Sequence, residues 1–200
     1  MTFKAILAHA TIAGTALALA GCAAQLPETR VTRFHLGQPI APGHVMVEPR
    51  NPTLASDLEF QSYARAVQAE LDRLGFTIAP NLVKSELVAV TEVTRSWQPV
   101  GAARSPLSIG IGGGSFGGNV GVGGGVSFPI GKAKQRMDVV TELAVQLKRR
   151  SEGTVIWEGR AQTVARDGTP YAAPQAAVTR LATALFKDFP GPSGQTITVK

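Results

Sequence analysis

The chain is poor in the residue types that carry metal and thiol chemistry. It has one cysteine and three histidines among 200 residues. A single cysteine forms no internal disulfide, so a disulfide-stabilised fold is excluded. Beyond the first 21 residues, the histidines are His35 and His44, and neither lies at metal-ligand spacing from a second histidine or a cysteine. The pattern therefore predicts no metal site.

Motifs for nucleophilic and nucleotide chemistry are also missing. Ser115 lies among glycines without the strand-to-helix turn that a nucleophile elbow needs. Gly112, Gly114 and Gly117 match GxGxxG, but more glycine and then a strand-like segment follow where a dinucleotide site requires a helix. We therefore expect no catalytic residues, no cofactor and no enzymatic activity.

The formal charge of +6 is spread along the chain. Its densest cluster, Lys148 to Arg150, stands next to Glu152 at a predicted strand end, as a solvated turn would. A nucleic-acid site would need a basic face with interleaved aromatic residues. We therefore expect no nucleic-acid partner, although the positive surplus can favour nearby anionic lipid headgroups.

The N-terminus has the pattern of a secretory signal. Lys4 precedes an apolar stretch that is too short and too rich in small residues for a good transmembrane span. Leu19-Ala20-Gly21-Cys22 resembles the bacterial lipobox, in which signal peptidase II cuts just before the cysteine. The resemblance implies that residues 1–21 are removed and that Cys22 carries a diacylglyceryl thioether and an N-acyl chain, which together anchor stably.

The residue after Cys22 indicates in which membrane such a lipoprotein is anchored. In lipobox proteins of Gram-negative bacteria an aspartate there favours retention in the inner membrane, and this chain has Ala23. The resemblance therefore implies lipid anchoring at the periplasmic face of the outer membrane, with residues 22–29 as a lipidated tether. An ordinary signal peptide followed by a spare cysteine remains the alternative.

Hydrophobic periodicity predicts one domain over residues 30–190. Apolar residues at helical spacing predict a helix over 57–74, with Ser56 as cap and Glu59 completing a capping box. A second helix is predicted over 174–186, with Val178, Leu181 and Leu185 facing inward. Strands are predicted in the segments 31–37, 44–49, 75–80, 85–97, 136–150 and 154–165.

This order of elements predicts an α+β fold. The economical packing is a mainly antiparallel sheet with two helices on one face. The segments 136–150 and 154–165 alternate apolar and polar residues, which predicts an antiparallel hairpin with one solvated face. Residues 191–200 are assigned as a C-terminal tail, either frayed or forming a small terminal strand.

The uncharged, glycine-rich insertion at residues 105–131 interrupts this pattern. Alternating apolar and small residues favour a glycine-rich loop or irregular hairpin. The alternative is a membrane-inserting glycine zipper, because Gly113, Gly117, Gly121 and Gly125 recur at every fourth position. The tract lacks the leucines and isoleucines that would drive insertion.

Two short segments carry a family resemblance. "LDRLGF" (71–76) and "GTVIWEGRA" (153–161), together with the lipobox and the glycine-rich middle, resemble the bacterial lipoproteins of the family called domain of unknown function 4136. The resemblance covers roughly residues 28–190 and implies a location and a fold, with no activity. A looser likeness links the chain to auxiliary lipoproteins of envelope transport systems.

These observations give one expected function and two alternatives. We expect an outer-membrane-anchored periplasmic lipoprotein with a non-catalytic binding or assembly role in the cell envelope. Its expected partners are the membrane, through the lipid anchor, and an envelope protein. The alternatives are an accessory lipoprotein of an envelope transport system and a glycine-zipper protein that inserts into membranes.

The anchor prediction is tested by replacing one atom. Cys22→Ser should abolish metabolic labelling by a radioactive fatty acid and release the matured protein from the membrane fraction, because the thioether needs the sulfur. Normal labelling of the serine variant would contradict the lipoprotein assignment.

Overall fold

A computed structural model describes residues 26–80, 85–100, 108–110, 127–129 and 136–199. The predicted signal peptide, the lipobox residues Leu19, Ala20 and Gly21, and the predicted lipidation site Cys22 lie outside the described residues. Residues 111–126 of the glycine-rich tract lie outside them as well.

The described residues form an α+β fold with a seven-stranded sheet. The sheet strands are β1 (Thr29–His35), β2 (His44–Pro49), β3 (Thr77–Ile78), β4 (Leu87–Pro99), β7 (Met137–Arg149), β8 (Val155–Arg166) and β9 (Thr196–Val199). Their spatial order is β3-β2-β4-β7-β8-β1-β9. The helices are α1 (Leu58–Arg73) and α2 (Pro174–Phe186), and short 3-10 turns cover Pro52–Leu54 and Pro170–Ala172.

The sheet is mixed, and the prediction of a mainly antiparallel sheet was wrong. β2 runs parallel to both β3 and β4, whereas β4–β7, β7–β8, β8–β1 and β1–β9 are antiparallel. The reason is that α1 carries the chain from the end of β2 back to the start of β3. A helical crossover of this kind joins parallel strands, so the predicted strand-helix-strand order already contained the parallel unit.

Both helices pack against one continuous apolar cluster. The cluster includes Val67 and Leu71 from α1 and Leu181 and Leu185 from α2, all of them fully buried. Val178 of α2 is also fully buried. Side chains from β1, β2, β4, β7 and β8 also belong to it. The inward positions predicted for α2 are thus confirmed, and the helix has the predicted bounds.

The predicted cap of α1 is corrected by one residue. Asp57 is the cap, and its Oδ1 accepts a hydrogen bond from the Glu59 backbone N–H at 2.7 Å. Ser56 therefore does not begin the helix as predicted. Both residues are good cap formers in adjacent positions, and aspartate additionally places its negative charge at the positive end of the helix dipole.

The hairpin of β7 and β8 is confirmed. The register runs from Asp138 opposite Arg166 to Lys148 opposite Val155, with an irregularity next to Lys148. Its inward face is apolar, while the outward face carries polar pairs such as Gln146, whose Nε2 donates to Glu158 at 2.9 Å. The outward face of the hairpin is therefore largely polar, as the alternation predicted.

Two further segments pair as short strands. Residues 191–200, assigned as a tail, contain β9, which pairs with β1, so the terminal-strand alternative is the observed one. Within the glycine-rich tract, β5 (Ser108–Gly110) pairs antiparallel with β6 (Ser127–Pro129) in a separate two-stranded sheet. The terminal strand gives β1 a pairing partner on both sides.

A buried arginine joins β1 to the end of α2. Arg33 is 1% exposed and donates to the carbonyl oxygens of Leu185 (2.9 Å), Ala184 (3.0 Å) and Lys187 (2.9 Å). These carbonyls belong to the last turn of a helix, where intrahelical donors run out. Burial lowers the pKa of Arg33, and the nearby Asp188 carboxylate opposes that shift. The guanidinium therefore caps α2 and fixes it to the sheet.

Replacing this cap should destabilise the domain strongly. We expect Arg33→Met to lower the free energy of unfolding by about 2 to 4 kcal/mol, because a buried acceptor left without a donor costs about 1 to 3 kcal/mol. Urea unfolding measures the change. The matched control is Arg30→Met on the exposed side of the same strand, where Nη2 donates to Gln162 at 2.7 Å. Equal stability of the two variants would contradict the role of Arg33.

Candidate functional site

The long strand β4 extends well beyond the neighbour that covers its first half. β2 pairs with β4 from Leu87 to Thr91, and the Arg50 N–H donates the next bond, to the Thr91 carbonyl at 2.9 Å. The chain then leaves the sheet into the 3-10 turn Pro52–Leu54. Among the described residues, Glu92–Pro99 pairs only with β7, and no described strand lies along its other edge, which we call the open edge of β4.

The direction of the backbone groups at this edge follows from the hydrogen bonds of β4. Val100 N–H donates to the Arg136 carbonyl at 2.9 Å, so even-numbered residues of β4 face β7. Peptide groups alternate along a strand, and Val93, Arg95 and Trp97 therefore direct their N–H and C=O groups to the open edge. Pro99 falls in the same phase, where the missing N–H removes no bond to β7.

A groove of about 370 Å³ runs along the open edge on the helix side of the sheet. It is lined by the connection from β2 to α1, by the first turns of α1 and by β4. Its apolar lining is Leu54, Phe60, Val93 and Trp97, and its charged lining is Arg50, Asp57, Glu59, Glu92 and Arg95.

Trp97 and Arg95 form the most distinctive part of the groove. Trp97 is 51% exposed, and the Arg95 guanidinium lies 5.3 Å from the centre of its ring. Nη2 of Arg95 donates to the Ala172 carbonyl at 2.7 Å, while its buried Nε has no hydrogen-bond partner within the described part of the chain. The arginine is therefore held in place and presents an aromatic-cation pair to the groove.

The other polar side chains in the groove are already engaged. Arg50 pairs with Glu92 at 2.7 Å, and Glu59 accepts a hydrogen bond from the Tyr63 hydroxyl. Burial raises the pKa of Tyr63, and the bond to the Glu59 carboxylate raises it further. These pairs engage the carboxylates of Glu92 and Glu59 and the hydroxyl of Tyr63 within the groove.

The residues considered from the sequence lie elsewhere. His35 is fixed by two backbone groups: Gly37 N–H donates to Nδ1 (3.1 Å), and Nε2 donates to the Gly191 carbonyl (2.8 Å) in the tautomer these partners require. His44 is exposed at the start of β2. Within the ranges described, no three His, Cys, Asp or Glu side chains are placed to hold a metal ion.

In the basic cluster at the end of β7, Arg150 has a structural role. Arg150 is paired with Glu48 at 2.5 Å and donates from Nε to the Ser85 hydroxyl at 2.8 Å. This pair ties the β7–β8 turn to β2.

None of the helices in the described part of the chain has the length and apolar composition needed to cross a membrane.

A family model described as "Domain of unknown function (DUF4136)" matches residues 37–191. The chain belongs to this family. The DUF4136 match begins just after β1 and ends before β9, so both strands at one side of the sheet lie outside it. A curated relative is "Uncharacterized protein ZMO1243" from Zymomonas mobilis subsp. mobilis, 33% identical over 210 residues, covering 85% of this chain and 79% of the relative.

Solved structures resemble the chain only distantly. A PDZ domain protein from Parabacteroides distasonis aligns with 12% identity and a TM-score of 0.49 over 86% of this chain, which spans 39% of that structure. The PelC dodecamer from Paraburkholderia phytofirmans aligns with 14% identity and a TM-score of 0.41, over 78% of this chain and 94% of that one.

Because Tyr63 is buried at the groove, the stability of the folded domain should fall as the pH rises into the alkaline range. Unfolded tyrosine ionises at about pH 10, and the folded protein holds the Tyr63 proton to higher pH. Above about pH 10 the unfolded chain therefore binds fewer protons than the folded one, and stability falls as pH rises. Wild type should lose more unfolding free energy than Tyr63→Phe between about pH 9 and pH 11, measured by urea unfolding. Parallel losses would contradict this assignment.

Proposed function

We propose that this protein is a lipid-anchored binding protein of the cell envelope, with no catalytic role. In this proposal Cys22 carries the lipid and holds the domain at the periplasmic face of the outer membrane. The lipobox-like sequence Leu19 to Cys22 supports the anchor, and Ala23 supports the destination. The partner is an envelope protein, and the groove beside β4 is where it binds.

The observation that carries the binding proposal is the open edge of β4. Val93, Arg95 and Trp97 direct backbone donors and acceptors towards the position that a continuing β2 would occupy. An extended polypeptide added there would pair with this edge, as in recognition by strand addition. The main-chain bonds would supply affinity, and side chains entering the groove would supply specificity.

The chemistry of the groove fits an extended peptide with an apolar side chain. A strand laid against β4 would place alternate side chains on the helix side, between Phe60 and Trp97. Exposed aromatic and arginine side chains in a groove are the residue types that dominate binding energy at protein interfaces. Arg95 is already oriented by the Ala172 carbonyl, so little side-chain freedom is lost when a partner binds.

The length of the peptide segment is limited at both ends. At one end, Arg50 already occupies the Thr91 carbonyl. At the other, Pro99 offers no N–H to the edge. An edge with a proline and few open positions also resists uncontrolled strand pairing between molecules. The proposed partner segment is therefore short, spanning about five residues opposite Val93–Trp97.

Site-specific photocrosslinking in growing cells tests this proposal. A photoreactive amino acid at Leu54, in the groove, should form an adduct with a partner polypeptide. Trp97→Pro removes one edge N–H and should reduce that adduct about tenfold, whereas Trp97→Ala, which keeps the N–H, should reduce it less. Because this N–H makes no bond to β7, the proline variant should keep its thermal transition.

The control position is Val164, which is 41% exposed on the opposite face of the sheet. Its adducts should not respond to either change at Trp97. An unchanged Leu54 adduct in the proline variant would contradict strand addition, and so would the absence of any adduct. An adduct within the same chain, or with a second copy of it, would contradict the proposed class of partner.

A further inference from the structure

A second pocket, of about 280 Å³, lies on the outer face of α2. From α2 and its cap it is lined by Arg180, Thr183, Ala184 and Lys187, which follow one another at helical spacing. The rest of the lining comes from both ends of the described chain, at Leu26, Pro27, Thr29 and Val199. Lys187 and Leu26 are exposed, with Leu26 57% accessible. The pocket thus combines two cations with an apolar rim.

The charge of this pocket is of one sign. Its lining contains Arg180 and Lys187 and no carboxylate side chain. The hydroxyl of Thr183 donates to Glu70 at 2.7 Å, and the same carboxylate group holds Arg73 at 2.8 Å. That nearby negative charge is therefore already neutralised on the α1 side. Neither cation forms an ion pair with a described carboxylate, and an anionic group is the ligand that such a pair of cations favours.

Arg180 is held in position by the protein. Its guanidinium lies 5.7 Å from the centre of the Tyr171 ring, and Nη2 donates to the Thr163 hydroxyl at 3.2 Å. Its Nε is buried and makes no hydrogen bond to any described residue. Burial lowers the pKa of Arg180, but a guanidinium remains charged in proteins. Its remaining donors can serve a planar or tetrahedral oxyanion.

The end of a helix ordinarily repels an anion, because its last carbonyls are partly negative. Here the guanidinium of Arg33 covers the carbonyls of Ala184, Leu185 and Lys187 from inside the domain. The negative end of α2 is therefore compensated before any ligand arrives. Lys187 can attract an anion without opposition from the backbone beside it.

The position of the pocket decides which anion is close. Leu26 follows Cys22 by four residues, a distance of at most about 14 Å in extended chain. This step rests on the proposed anchor: a lipid on Cys22 would hold Leu26, and with it this face of α2, near the headgroups. We propose that the pocket binds the phosphate group of an anionic phospholipid at the membrane surface.

The test measures how fast Lys187 is acetylated by a water-soluble reagent. The full chain is expressed, purified from membranes and placed in vesicles of phosphatidylcholine, with or without about one-third phosphatidylglycerol. Lys187 should be acetylated at least about threefold more slowly in the anionic vesicles than in the neutral ones, because a bound phosphate shields it. Lys148, on the opposite face of the sheet, is the matched internal control and should change by less.

A second experiment, with a soluble ligand, distinguishes binding of a lipid headgroup from binding of a free phosphate compound. The same protein in neutral detergent micelles receives glycerol 3-phosphate. Protection in anionic vesicles, with or without protection by glycerol 3-phosphate, supports the headgroup site. Protection by glycerol 3-phosphate alone overturns the membrane assignment, and protection in neither overturns the site. Failure of the protein to stay with the vesicles would refute the anchor, and the experiment with the soluble ligand would still decide the phosphate chemistry.

Two variants distinguish a built site from a general surface charge. Arg180→Gln should abolish the protection of Lys187. Because Arg180 also contacts Tyr171 and Thr163, thermal unfolding must first show that this variant folds. Arg180→Lys keeps the charge and the stem but not the fork of donors, and it should lose at least about half of the protection. Undiminished protection in both variants would overturn the proposal.

Discussion

The contact of Arg33 with the end of α2 is the constraint on which the packing of the domain depends. One side chain from β1 satisfies three helix carbonyls, so the sheet and the helix fix each other's position. The turn that follows must then pass close by. Gly191 has φ +74, and a Cβ there would lie 2.5 Å from Nη1 of Arg33. Trp157 closes the same region, because its indole N–H donates to the Pro190 carbonyl at 3.1 Å.

Elements with local signals could be predicted from the sequence, and long-range pairings could not. α2 begins and ends where its periodicity predicts, because its buried stripe repeats within one segment. The hairpin of β7 and β8 is confirmed because its partners are adjacent in the chain. The parallel pairing of β2 was missed, since it depends on where α1 returns the chain. Arg33 gave no signal either, because a basic residue in an alternating strand usually faces water.

The candidate site was harder to predict than the fold, for a geometrical reason. Its apolar lining brings Leu54 and Phe60 together with Trp97, about forty residues away in the chain. Trp97 was correctly placed on a strand, but its exposure follows from the length difference between β2 and β4, which no local pattern contains. The tyrosine-carboxylate pair of Tyr63 and Glu59 is a signal at i, i+4 spacing that the sequence does offer.

The position of β1 between β8 and the edge strand β9 has a mechanical consequence. Tension applied to the chain from its N-terminal side reaches the sheet at Thr29, where β1 begins. Seven residue pairs with β8, four with β9 and the Arg33 contact then resist the load together. The terminal strand β9 therefore adds pairing that holds β1, the strand under load, in the sheet. Resistance to such a pull is set by the barrier to detaching β1, a kinetic property separate from equilibrium stability.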